Sequence, residues 1–246
     1  MATHALAAQT TERRTIPNQT TIGLTLAAMI VTAWLCLHIY GVYLHRWSAW
    51  SVAIVPAVVA VQTWLSVGLF IIAHDAMHGS LAPGRPRLNA GVGSVVLALY
   101  AGFRFRKLNT AHHAHHAAPG TAQDPDFFAA APRAFIPWFV NFFRTYFGWT
   151  ELVVLTLLVA IAVFVLKAGM ANLLVFWAAP ALLSALQLFL FGTWLPHRHT
   201  DTPFADAHNS RSSGFGELTS LLTCFHFGRH HQHHVQPWLP WWRLKG

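Results

Sequence analysis

The most constraining stretch is the place where a long apolar run meets a pair of histidines. Residues from about Val52 to Ala73 are numerous and apolar enough to span a bilayer, and they run straight into His74-Asp75-Ala76-Met77-His78-Gly79. Backbone groups in hydrocarbon must be satisfied within their own segment, so the run has to be helical. His74 and His78, four residues apart, then share one face where the helix leaves the hydrocarbon. Two later clusters, His112-His113-Ala114-His115-His116 and His230-His231-Gln232-His233-His234, each contain His-x-x-His-His. On a helix, His112, His115 and His116 aim three imidazoles to one side, as do His230, His233 and His234; His113 and His231 point elsewhere. One pair alone reads as packed or solvated histidines. Three spaced internal clusters predict a metal site of two ions, because eight ligands are too many for one.

The rest of the chain supports a membrane setting. Of 246 residues, 54% are hydrophobic and 10% charged, against about 25% charged in a soluble domain. Three further apolar runs, about Thr21–Leu44, Thr150–Leu166 and Ala171–Leu195, are candidate spans, the last with an expected kink at Pro180. Leu88–Phe103 is shorter and flanked by arginines, and reads as a re-entrant or interface-lying helix. Phe135–Phe147, rich in Phe, Trp and Tyr, reads as an aromatic helix at the interface, and Pro237–Trp242 as an interfacial anchor. Residues 1–20 form a polar tail with no cleaved signal pattern, and 21–246 a single membrane domain. Fourteen of the sixteen Lys and Arg fall on the tail, the long 79–149 connection and the C-terminal region; Arg46 and Lys167 alone occupy the two tight turns. The positive-inside rule places the fourteen, both termini and every histidine cluster in the cytoplasm. The net charge of +8 is therefore sorted by membrane side and does not call for nucleic acid. The expected fold is all-α integral membrane: four transmembrane helices in two hairpins, interfacial helices, and a cytoplasmic His-rich di-metal cap.

Cys36 and Cys224 form no CxxC pair, so any metal is held by nitrogen. Imidazole suits iron, zinc, copper or nickel, and spacing alone does not choose among them. The chain lacks the Glu-x-x-His pairs of carboxylate-bridged di-iron bundles and the His-Glu-x-x-His of zinc proteases. A transporter would place ligands near the bilayer midplane. Ligands just outside it fit a catalyst whose lipid-soluble substrate enters from the bilayer. His38 has no partner pattern and reads as a packed helix histidine; Asp75 reads as a support for a ligand or a solvated end charge.

His74-x-x-x-His78, His112-x-x-His115-His116 and His230-x-x-His233-His234 resemble the three histidine boxes of the membrane fatty acid desaturase and hydroxylase superfamily. Further strings resemble its bacterial β-carotene ketolase (carotenoid 4-ketolase) branch: Phe103-Arg104, Pro119-Gly120-Thr121, Asp124-Pro125-Asp126-Phe127, Phe191 through Arg198, and His233 through Trp242. The likeness runs from about Ala73 to the C-terminus. It implies two Fe2+ ions held by the eight box histidines and by a ninth, His197, after the last span. It implies O2-dependent conversion of the C4 and C4′ methylenes of β-ionone rings to ketones, by two hydroxylations and a dehydration. The products would be echinenone and canthaxanthin from β-carotene, and astaxanthin from zeaxanthin. It implies a carotenoid arriving from the bilayer, electrons from outside through reduced ferredoxin, and a multi-pass place in the bacterial inner membrane. The basic run Arg104, Arg106 and Lys107 either docks such a donor or only sets topology. Asp124 is the candidate acid of the catalytic site, orienting a ligand imidazole, or else a turn aspartate before Pro125. Where the desaturases carry Asn four residues before the ninth histidine, this chain has Thr193. The rival readings are a carotenoid 3-hydroxylase or a fatty acyl desaturase or hydroxylase of the same superfamily, and a non-catalytic membrane metal-binding or transport protein.

Overall fold

The structure is a computed structural model that describes residues 16–245, and every regular element among them is helical. In chain order these are α1 (Gln19–Leu44), α2 (Ala49–His78), α3 (Pro86–Ala101), α4 (Phe105–Ala117), α5 (Phe135–Tyr146), α6 (Trp149–Val165), α7 (Met170–His197), α8 (Glu217–Cys224) and α9 (His230–Val235). Residues 1–15 of the expected tail lie outside the described residues, and α1 already begins at Gln19. Helices α1, α2 and α7 are each long and apolar enough to cross a membrane. The pairs α3–α4 and α5–α6 pass the same test only together, bent by 101° and 76°. The number of crossings is thus between three and five, a range that includes the expected four.

Helix α2 is the spine. Ser48 and Ser51 cap its start reciprocally, at 3.1 and 2.7 Å. Its first half faces outward, whereas Leu69, Ile71, Ile72 and Ala73 are buried. Gly79, at φ 70°, ends it in the left-handed conformation that glycine adopts without penalty. Gly102 (φ 69°) performs the same service after α3, and the 101° turn there lays α4, with its histidines, across the end of α2. Lys107 holds that corner by donating to the Tyr146 carbonyl at 2.7 Å and pairing with Glu151 at 3.3 Å. It is therefore already engaged, and only Arg104 and Arg106 of the basic run are exposed.

Pro180 does not break α7. The helix runs as one span from Met170 to His197, and the segment Leu174–Ala178 just before the proline is π-helical. The N-terminus of α7 is pinned beside the α1–α2 turn. Asn172 accepts from Trp47 Nε1 at 2.6 Å and donates to the carbonyls of Val42 and His45 at 3.3 and 3.0 Å. So α7 runs parallel to α2, and both deliver their C-terminal ends to the same side. Asn172→Ala leaves an indole and two carbonyls unpaired in a buried setting, a cost of about 2 kcal/mol. The expected result is a lower unfolding midpoint in detergent, read by tryptophan fluorescence.

Helix α8 departs from expectation. The sequence pattern assigns no element to residues 218–229, and α8 dips back there between α2 and α7. Trp64 Nε1 donates to the Leu221 carbonyl at 3.2 Å, Trp64 stacks on Phe225 at 4.4 Å, and Gln187 donates to the Thr223 carbonyl at 2.5 Å. Trp64 lies ten residues before His74, so the dip reaches about 15 Å toward the far side. Gly68 permits it: a Cβ there would sit 2.8 Å from the Phe225 ring. The Pro237–Trp242 segment is likewise folded inward. Trp241 packs edge-on against Phe225 at 5.2 Å, and its amide donates to Asp75 at 3.2 Å. Asp75 is accordingly buried, not solvated, and ties the chain terminus to α2.

Candidate metal centre and cavity

Four elements deliver the nine histidines singled out above to one place. Helix α2 brings His74 and His78 on its last turns, α4 brings His112, His115 and His116, α7 ends on His197, and α9 carries His230, His233 and His234. They sort into two groups. His74, His78, His112, His116 and His233 form a set of five, and His115, His197, His230 and His234 a set of four; within each set the ligand nitrogens lie within 4.8 Å of one another. The sets share a wall, His116 stacking on His234 at 4.3 Å. Each His-x-x-His-His motif is thus divided, with His115 and His233 on opposite sides of the partition from their box neighbours. Helical spacing puts the three on one side but does not reveal that division.

Nitrogen spacing and tautomers both suit a metal. The facing Nε2 atoms lie 2.7 Å apart for His78–His112, 3.1 Å for His74–His233, 3.0 Å for His116–His233, 3.1 Å for His115–His234 and 3.0 Å for His230–His234. Two ligands at right angles around an ion, each with a bond of about 2.1 Å, stand about 3.0 Å apart. His197 Nε2 is buried with no hydrogen-bond partner among the described residues. Its Nδ1 donates to the Asn209 carbonyl at 2.8 Å, which leaves the Nε2 lone pair free for a ligand role. Asp124 does the same for His115, with both oxygens 2.9 Å from Nδ1. It is also held by the amides of Gly120 and Asp126, each at 2.8 Å. The turn before Pro125 and the support of an imidazole are therefore one device. Burial, reinforced by neighbouring imidazoles, holds His230, His233 and His234 well below the ordinary histidine range and so in the neutral, ligating form. At His115 burial acts in the same direction, but Asp124 and then Asp126 outweigh it and raise that imidazole's basicity.

A cavity of about 310 Å3 ends on these groups. His74, His112, His115 and His230 face its inner end; Phe70, Tyr100, Phe139, Phe142 and Phe143 supply much of its wall. Along α7 it is lined from Ala178 to Thr193, about 22 Å of helix. Leu182, 58% exposed, marks where it reaches the outer apolar surface. A double cluster of imidazoles thus stands at one end of a mostly apolar cavity.

The fatty acid desaturase profile matches residues 48–153 and 136–245. The chain belongs to the fatty acid desaturase family. Within that family it is 48% identical to the β-carotene ketolase of Paracoccus sp. (strain N81106 / MBIC 01143), over 92% of this chain and 91% of the relative. It is 35% identical to the β-carotene ketolase of Haematococcus lacustris, over 90% of this chain and 77% of that one. The zeaxanthin 4-ketolase of Chlamydomonas reinhardtii is 36% identical over 90% of this chain and 52% of its own length. The chain is a member of the β-carotene ketolase branch.

For this desaturase-family chain, sequence reading left several cavity residues unassigned. Helix α5 is not merely interfacial: Trp138 is fully buried, and Phe139, Phe142, Phe143 and Tyr146 face the cavity. Asp126 accepts from the Tyr146 hydroxyl and also lines the cavity. The aromatic stripe at three- and four-residue spacing was the available signal, and it did not say which side was core. Thr193 sits on the cavity wall, 7% exposed. Other described histidines have other partners: His113 bonds the Asn109 carbonyl at 2.8 Å, His231 faces Asp206 at 3.4 Å, and His38 stacks on Trp34 at 4.7 Å. None of residues 237–242 lines the cavity.

Proposed function

We propose that this chain is a carotenoid 4-ketolase that converts the C4 methylene of a β-ionone ring to a ketone with O2. The observation that carries the reading is the apolar cavity ending on four of nine clustered imidazoles in a chain nearly half identical to a β-carotene ketolase. β-Carotene would give echinenone and then canthaxanthin, and zeaxanthin would give astaxanthin. Each hydroxylation consumes one O2, two electrons and two protons and releases one water; the second yields a geminal diol, which loses water to leave the ketone.

The five-histidine and four-histidine sets are the residues that would each hold one iron. Two bound irons would supply O2 activation and hydrogen abstraction at C4, an allylic carbon with a weakened C–H bond. The chain's own part is positioning. Asp124 and the Asn209 carbonyl fix the tautomers of His115 and His197. The aromatic wall of α5 and α3 holds the ring and keeps water away from the inner end. Leu155, Ala181 and Leu182 admit the substrate sideways from the bilayer. Electrons come from outside, with reduced ferredoxin as donor; Arg104 and Arg106 are the exposed cations that would meet its acidic surface. The single domain 21–246 sits in the bacterial inner membrane with α1–α2 and α6–α7 as two hairpins, Arg46 and Lys167 on the outer turns, and the site cytoplasmic.

The test is expression in a bacterium that accumulates β-carotene, with pigment analysis beside a His115→Ala control. Echinenone or canthaxanthin in the wild type alone is the expected result. Unchanged β-carotene, with protein in the membrane and a competent donor present, refutes the reading. Asp124→Asn keeps the turn but removes the charge behind His115. A fall in iron affinity of about 10- to 100-fold is expected, measured by competition with a chelator; unaltered retention assigns Asp124 to the turn alone.

A further inference from the structure

Asp126 is a carboxylate that the mechanism above does not use. Its neighbour Asp124 is closed off, with 1% of its side chain exposed; Asp126 keeps 14%, and that exposure faces the cavity. Its position is firmly set. The amide donates to Asp124 at 2.8 Å, the carbonyl accepts from Trp138 Nε1 at 2.7 Å, and Oδ1 accepts from the Tyr146 hydroxyl. Oδ2 receives no hydrogen bond among the described residues and lies 3.8 Å from His115 Nδ1. A polar atom left without a partner on a mostly apolar wall is costly unless something bonds to it. It stands one imidazole's width from the nitrogen that faces the metal centre.

We propose that Asp126 Oδ2 hydrogen-bonds a hydroxyl on the substrate ring, and that this bond commits the C4 alcohol to its second oxidation. The inference rests on the ketolase reading. After the first hydroxylation the ring carries one hydroxyl and one remaining hydrogen at C4. The apolar wall grips the alcohol no better than the hydrocarbon, so a polar anchor is needed to hold that hydrogen toward the histidines. A carboxyl oxygen with no other partner is well suited to accept from a hydroxyl. The same atom would meet a C3 hydroxyl, the adjacent carbon of zeaxanthin-type rings, so two sources share one chemistry.

The experiment compares wild type, Asp126→Val, Asp126→Asn and Trp138→Phe in membranes with a supplied electron donor, on β-carotene and on zeaxanthin. It reads the ratio of 4-hydroxy to 4-keto product and the iron per chain. For a C4 bond, Asp126→Val raises the released alcohol share from β-carotene about tenfold. Asp126→Asn, which keeps one polar atom for Tyr146 and one for the hydroxyl, restores most of the ketone. Trp138→Phe, which loosens the Asp126 loop without touching the carboxylate, keeps the wild-type ratio. For a C3 bond, Asp126→Val slows zeaxanthin selectively and releases no extra alcohol from β-carotene. A ratio and substrate preference unmoved in Asp126→Val overturn the assignment, as does the same alcohol release in Trp138→Phe. Iron loss in Asp126→Val accompanying the alcohol release reassigns the residue to His115 and also overturns it. Wild-type protein that makes no ketone from either carotenoid defeats the ketolase reading itself, which separates that failure from the others.

Discussion

Replacing His234 by alanine is expected to cost more than replacing His78, although both are histidine-box residues. His234 is one of four nitrogens in its set and His78 one of five. Removing His234 leaves His115, His197 and His230, one donor fewer than its set provides, so that set loses the larger share of its grip on an ion. Removing His78 leaves four donors, a number that holds first-row ions well. The expected outcome for His234→Ala is one iron per chain instead of two, with ketone formation lowered by more than about a hundredfold. His78→Ala should keep close to two irons and lose about tenfold in turnover. Metal analysis of purified protein beside pigment yield tests this. Equal losses for the two variants would sink the division into five and four.

The second large effect is expected from a residue that touches no histidine. Ala181 lies on α7 where the cavity passes between α6 and α7. A tryptophan there fills the passage before the ring reaches the imidazoles. Ala181→Trp should lower ketone formation by about a hundredfold, because even a small displacement of the reacting carbon forfeits the near-attack geometry. Iron content should remain at two per chain, and overpacking should cost about 1–3 kcal/mol of stability. Undiminished conversion would show that substrate reaches the histidines by another route, and the cavity would lose its role.

How far the chain could be read without coordinates depended on range. The ends of α2 and the faces of α4 and α9 are local, periodic facts, so His74, His78, His112, His115, His116, His230, His233 and His234 could be grouped from spacing. His197 could not. It is a lone histidine at a helix end, and only the family strings around it gave it meaning. The division of each box between two sets depends on how four helix ends meet, which no single helix encodes. The inward dip of α8 escaped for a different reason. Eight residues are too short to register as a membrane segment, and the partners that hold it, Trp64 and Gln187, belong to helices far away in sequence. The sequence left Asp75 between two readings, and the contact that settles its burial joins residues 166 positions apart. Pro180 carries a different lesson: the proline is plain in the sequence, but the π-helical turn just before it is a local adjustment that no residue pattern announces.

The cavity's size has a consequence for how products accumulate. At about 310 Å3 it lies near the lower limit of ligand pockets, which run from about 300 to 1,000 Å3, and its inner end is walled by His74, His112, His115 and His230. A forty-carbon chain with a ring at each end can therefore present only one ring per visit, the remainder staying among lipid tails. To be oxidised at both ends it must back out, turn end for end in the bilayer and return as a new customer, in competition with every unreacted molecule nearby. Early in a time course the pigment should be almost wholly singly oxidised, and the doubly oxidised form should rise only as the starting carotenoid runs down. The red end product would then report the ratio of protein to pigment in the membrane as much as the chemistry of the site.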